Sequence, residues 1–234
     1  MKLQTRTSRK GFTLVELLVV IAIIVALAAM ATPQIFKALK RAAMAENINN
    51  AKQVKLALDS FAMDNDGVYP SEDTADFYET PKGTGRSNDL FMQLFASKNT
   101  NSERIFWVKG SQVCNPAAPD DTTTTGGKFT QSETLQAGDC GWAFVEDQTN
   151  VDNPSRPLLF DSPPTASGLE FDGDLWEGKV VVLKIDSSAK PVRLNPNNKL
   201  MDGDNKELLT TASEVWGGNT STIEIAYPIK TSKR

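Results

Sequence analysis

The sequence predicts an α+β protein in which one long N-terminal helix packs on a C-terminal antiparallel sheet with enlarged loops. Three observations predict it. Residues 12–31 are almost wholly apolar, residues 34–66 continue without Gly or Pro in a helical rhythm, and the rest holds short apolar runs separated by turn residues. The domains expected are a leader at 1–11, an apolar helix at 12–33, its amphipathic continuation at 34–67, and a globular body at 68–234.

The leader carries Lys2, Arg6, Arg9 and Lys10 and no acid. The run after it, FTLVELLVVIAIIVALAAMA, has one charge in twenty residues, Glu16. At about 1.5 Å per residue such a helix spans about 30 Å, the thickness of a bilayer core. Basic residues before the span stay in the cytoplasm, so the body is expected outside it. An ordinary signal peptide, ending at Ala29-Met30-Ala31, or a plain anchor would explain the leader and the run. Neither explains Glu16, because a carboxylate in a membrane helix is costly unless it serves a specific contact.

Lys10-Gly11-Phe12-Thr13-Leu14-Val15-Glu16 resembles the prepilin cleavage and methylation motif. The resemblance implies cleavage between Gly11 and Phe12 on the cytoplasmic side, N-methylation of Phe12, and Glu16 as the fifth residue of the mature chain. It further implies that Glu16 neutralises the amino terminus of a neighbouring Phe12 when subunits polymerise. A buried amine and a buried carboxylate are each unfavourable alone and satisfied together.

Pro33 removes one helical hydrogen bond. One bent helix through Pro33 is expected, the alternative being a new helix with Pro33 at its first position. Met44, Ile48, Ala51, Val54, Leu58 and Phe61 recur at spacings of three and four and draw one stripe. Lys37, Lys40, Arg41, Lys52 and Lys55 fall mostly off it. Asn65-Asp66-Gly67 is the stop, with Gly67 as the expected left-handed residue. The run from Ala57 to Pro70, with its Asp-Asn-Asp-Gly turn before Tyr69-Pro70, resembles the helix end of type II secretion major pseudopilins. The two resemblances cover residues 1–70 and imply the pilin-like fold.

Farther on, Ser87-Asn88-Asp89 before Leu90, Phe91, Leu94 and Phe95 predicts an N-capped short helix. Residues 102–113 are a strand candidate, and 115–128 a polar loop. Further strands are expected at 141–146, 157–161, 179–186, 191–194 and 222–227. No stretch between them is long enough for a crossover helix, which favours antiparallel pairing. Inserted loops are expected around 72–135 and 195–220.

Composition narrows the chemistry. The chain of 234 residues has no histidine, which removes the commonest general base and metal ligand. Without the leader, 21 basic residues face 29 acidic ones, so no nucleic-acid partner is predicted. Cys114 and Cys140 are expected to form a disulfide in an exported chain, two buried thiols being the alternative. Asp172-Gly173-Asp174 and Asp202-Gly203-Asp204-Asn205, with Glu207, are acidic turns of a kind that binds calcium, or simply solvated turns. Calcium is thus a possible cofactor, with no ligand assignable and no other cofactor expected. Asp161 and Asp172 as a hydrolytic carboxylate pair, and a surface formed by Trp107, Trp142, Trp176 and Trp216, are weaker than the reading of scattered acids and core anchors.

The chain therefore reads as a non-enzymatic filament subunit. The resemblance implies a pseudopilin of a type II secretion or related pilus-like machine, aiding protein secretion from the inner membrane into a periplasmic filament. Its partners would be its own copies, other pseudopilins, a prepilin peptidase, an assembly platform and a cytoplasmic ATPase. The alternative is a surface or minor pilin used in adhesion, motility or DNA uptake.

Overall fold

The computed structural model describes residues 12–82, 85–125, 128–165, 169–217 and 223–231. The leader at 1–11, including Gly11, lies outside the described residues.

Helix α1 runs from Leu14 to Asp64, 51 residues, and continues through Pro33. The one-helix reading is therefore the observed one. Its termination differs in detail from expectation. The Gly67 amide donates to the Ala62 carbonyl at 2.8 Å, closing a six-residue loop in which Asp66 is already left-handed (φ 53°). Asp66 thus takes the C′ position, and Gly67 follows it at φ 84°.

The chain divides into residues 1–42 and a compact unit of residues 43–234. In the latter, α1 is joined by two short helices, α2 (Glu72–Ala75) and α3 (Ser87–Ala96). A two-stranded ribbon pairs β1 (Thr124–Thr125), inside the expected polar loop, with β2 (Lys128–Phe129) at its end. The main sheet comprises β3 (Trp142–Val145), β4 (Pro157–Asp161), β5 (Lys179–Lys184), β6 (Ala189–Arg193) and β7 (Ile225–Ala226). Its order is β6-β5-β4-β3-β7, antiparallel throughout.

The strand candidate at 102–113 is not a strand. Oδ1 of Asp121 accepts from the amides of Glu103 (2.6 Å) and Arg104 (3.2 Å) and from the Ser102 hydroxyl (3.1 Å). That draws the backbone into turns, and Ile105, Phe106 and Val108 enter the core from them. The helix at α3 is present, but Arg86 holds its cap position without a side-chain bond. Ser87 and Asn88 bond elsewhere: Ser87 Oγ donates to the Trp142 carbonyl (2.7 Å), and Asn88 Nδ2 to that of Leu135 (2.7 Å).

Both faces of the sheet are buried. On one, Ala51, Val54, Leu58 and Phe61 of α1 join α3 and the sheet side chains Trp142, Phe144, Leu159 and Val181. On the other, Ala143, Phe160, Val180 and Val182 are covered by Leu194, Leu200, Leu208, Leu209 and Trp216. The expected insertion around 195–220 is thus the second cover of the sheet. Double burial explains why Val180-Val181-Val182-Leu183 is a continuous apolar run and does not alternate.

One buried polar contact ties α1 to the sheet. Asp161 accepts from Asn47 Nδ2 (2.6 Å), Trp176 Nε1 (2.7 Å) and the Val181 amide (2.7 Å). Asn47 Oδ1 is buried and receives no hydrogen bond among the described residues. Lys55, one of the basic residues expected mostly off the stripe, is also buried, pairing with Asp59 and donating to the Tyr69 hydroxyl at 3.3 Å.

Two outcomes follow for stability. Phe61→Ala removes a fully buried ring from the α1 face and should cost about 3–5 kcal/mol in urea unfolding. Leu56→Ala, on the exposed side of the same helix, should stay within about 0.5 kcal/mol. Burial pushes Asp161 up to about 6 and Glu103 and Glu146 up to about 7. Unfolded carboxyls titrate near about 4, so between those values the folded chain holds protons that the unfolded chain has lost. Stability from these groups falls as pH rises through that window. The melting temperature of detergent-solubilised protein should be higher at about pH 5.5 than at about pH 8, by calorimetry.

Candidate assembly site on the N-terminal helix

The helix start is built by a reciprocal cap. Thr13 precedes the first helical residue, and its hydroxyl accepts from the Glu16 amide at 3.2 Å. Glu16 Oε2 in turn accepts from the Thr13 amide (2.9 Å) and the Thr13 hydroxyl (2.8 Å). This is a capping box, and Thr-Leu-Val-Glu before an apolar run is its sequence signature. The sequence reading took Glu16 as a charge awaiting a partner and missed Thr13. Both hydrogen bonds use one carboxylate oxygen. Oε1 of Glu16 receives none among the described residues.

Around this carboxylate the helix is apolar and uncovered. Leu14, Val15, Leu17, Leu18, Ile21, Ile24 and Val25 are all exposed, as is Phe12. The helix is long and apolar enough to cross a membrane. In water such a face is unfavourable by roughly 25 cal/mol per Å² of apolar surface, so lipid or other helices must cover it.

The prokaryotic N-terminal methylation motif matches this chain over residues 6–32, the stretch that holds Gly11, Phe12 and Glu16. The chain bears the signature of type IV pilin and pseudopilin prepilins. No curated protein and no solved structure matches it. With a long N-terminal helix and a C-terminal antiparallel sheet, the pilin-like layout fits the fold observed. The prepilin signature and the apolar helix together fit membrane anchoring.

The remaining candidates in the body are spread apart in role. Asp202 Oδ1 accepts from the amides of Asp204 and Lys206, both at 2.9 Å, and Oδ2 from Ser213 at 2.6 Å. Asp172 accepts from the Asp174 amide and Gln112, and Glu207 pairs with Lys199. These acidic turns spend their oxygens on local bonds, and no group of three or more candidate metal ligands converges among the described residues. Asp161, buried in its own network, does not share one with Asp172. Trp142, Trp176 and Trp216 are core residues and Trp107 is half-buried, as the core-anchor reading expects.

The expected disulfide is not formed. Cys114 and Cys140 are free, buried thiols. They are near neighbours: a Cβ on Gly141 would lie 2.7 Å from Cys114 Sγ. Cys140 Sγ instead faces the Trp142 carbonyl (3.6 Å) and Ser87 Oγ (3.9 Å). Burial pushes the Cys114 thiol up to about 12 and raises that of Cys140 as well. Neither is then a thiolate at neutral pH, so neither attacks a disulfide reagent. Titration with such a reagent should find no reactive thiol in the folded chain and two per chain after denaturation without reductant. An absence of thiols after denaturation would contradict this arrangement.

Proposed function

We propose that this chain is a structural subunit of a type IV pilus-like filament, used by a type II secretion or related machine. The observation that carries the reading is Glu16. It is the sole charge in the apolar run of residues 12–31, four residues beyond Phe12, and one of its carboxylate oxygens receives no hydrogen bond among the described residues.

The steps follow from charge and solvent. The apolar helix holds the precursor in the inner membrane with the body on the far side. A prepilin peptidase cuts between Gly11 and Phe12, and the new Phe12 amine is methylated. That amine is a cation, and the capping box holds Glu16 Oε2 of its own chain on Thr13. An incoming subunit supplies Glu16 to a neighbour's Phe12, and the exposed faces of the helices cover one another. Leaving either ion unpaired in an apolar bundle is strongly unfavourable. The pair therefore selects correctly staggered subunits and rejects shifted ones. An assembly platform and an ATPase drive insertion, with other pseudopilins as partners.

The Asp66-Gly67 turn before Tyr69 supports the secretion branch. In the structure the turn leads directly into the Tyr69 hydroxyl contact with Asp59 at 3.1 Å. Lys55 joins the same contact, so Tyr69 closes the end of α1 against the body.

Glu16→Ala should leave cleavage intact, reduce filaments in sheared fractions by at least about tenfold, and leave the subunit in the membrane. Glu16→Gln should fail in the same way, since the amide keeps hydrogen bonding and loses the charge. Normal filaments from both variants would overturn the pairing mechanism. A secretin gene and a secretion ATPase gene beside this one would support the secretion machine. A retraction ATPase gene there would favour a surface pilin.

A further inference from the structure

Two adjoining clefts in the body share Asp73 and Asp147. The first, about 610 Å³, is lined by Glu72, Asp73, Glu146, Asp147 and Glu224, with Ile223 and Ile225. No basic side chain lines it among the described residues. The second, about 700 Å³, adds Asp64 and Asp66 and an aromatic, Phe77, that is 82% exposed.

Acidic residues alone say little, but Glu146 says more. It is only 8% exposed, yet its side chain lines the cleft and receives no hydrogen bond or ion pair among the described residues. Burial, and then repulsion from Asp147, Glu224 and Glu72, disfavour its charged form. A nearly buried carboxylate left without a donor, beside like charges, is costly unless a cation completes it. The carboxylates do not converge as a metal cage, since no group of three or more candidate ligands meets among the described residues. They suit an extended cation carrying several charges.

The same chain presents such a cation. Lys37 and Arg41 stand one turn apart on α1, with Lys40 between them, and Phe36 and Leu39 are exposed beside them. The segment offers basic heads and apolar side chains. The clefts offer carboxylates with Ile223, Ile225 and Phe77. Lysine and arginine stems lie along apolar surface while their heads reach acids. We propose that the acidic cleft of one subunit receives the Lys37–Arg41 segment of another copy of this chain. The contact rests on the filament reading above and adds a second, body-level interface to it. The contact joins two different surfaces, cleft to segment, so it is heterologous and compatible with the open filament of that reading.

Charge exchange in the full-length chain, assembled in its own membrane, tests this. Glu72→Lys with Glu224→Lys changes two exposed cleft residues outside the core. Lys37→Glu with Arg41→Glu changes the segment. Each pair should lower filament yield by about tenfold, and combining all four should restore most of it. In filaments carrying Arg41→Cys and Glu224→Cys, an oxidant should produce a ladder of crosslinked copies, and neither single cysteine variant should. Melting curves of the purified variants check folding. Where a reversal melts early, Glu72→Gln with Glu224→Gln replaces it and should give a smaller loss in the same direction.

Unchanged yield in both reversed pairs, with wild-type filaments still dependent on Glu16, would overturn the contact and leave the filament reading standing. Loss in the cleft pair that the exchange does not restore would also overturn it and assign the cleft to a different basic partner. Wild type without Glu16-dependent filaments would overturn both readings.

Discussion

One helix has to satisfy two environments. From Asn47 to Ala62, α1 buries a stripe against α3 and the sheet. From Leu14 to Leu39 its apolar side chains are exposed throughout. The helix runs through both stretches, with one ladder bond missing at Pro33, which has no N–H to donate. What changes is what must surround it. The Asn47–Ala62 stretch is completed within the chain, whereas the Leu14–Leu39 stretch is not, and its hydrophobic cost is met by lipid or by other copies. Glu16 lies in that uncompleted half, and the capping box uses only one of its oxygens. The helix is therefore well formed as a monomer and still lacks a partner.

The body gives the completed stretch a firm base. Its five-stranded sheet is covered on one face by α1 and α3 and on the other by the segment from Leu194 to Trp216. That second layer is why a domain of this size exists around so few strands. Asp161 joins the layers. It is reached at once by Asn47 from α1, Trp176 from a loop and the Val181 amide from β5. A buried carboxylate with three donors costs desolvation energy but fixes which part of the helix meets which strand.

Much of this was legible because the signal was local. The α1 stripe and the apolar runs at Trp142–Val145, Pro157–Asp161 and Lys179–Lys184 declare their elements by periodicity and composition. Glu16 stood out because a lone charge in an apolar run is so unfavourable. The failures share a cause: a distant residue decided the local structure. Asp121 turned the backbone at 103–104, although Ile105-Phe106-Trp107-Val108 reads as a strand. Ser87 and Asn88 read as caps but serve the Trp142 and Leu135 carbonyls, which lie about fifty residues on in the sequence. Lys55, read with the basic residues mostly off the stripe, is buried where Asp59, one turn on, and Tyr69, beyond the helix end, both meet it. The acidic clefts, assembled from four separate stretches, had no sequence signal. Thr13 was the exception: its capping pattern was local and was overshadowed by the charge of Glu16.

The central claim is that the uncompleted half of α1 begins at a processed Phe12 and is finished by other subunits. Intact mass and fragment-ion sequencing of the chain purified from membranes test it most directly. The account predicts a mature chain that begins at Phe12 and carries one methyl group on its amine. A chain beginning at Thr32, after the signal-peptide site, would lack both Glu16 and the apolar helix and would contradict it.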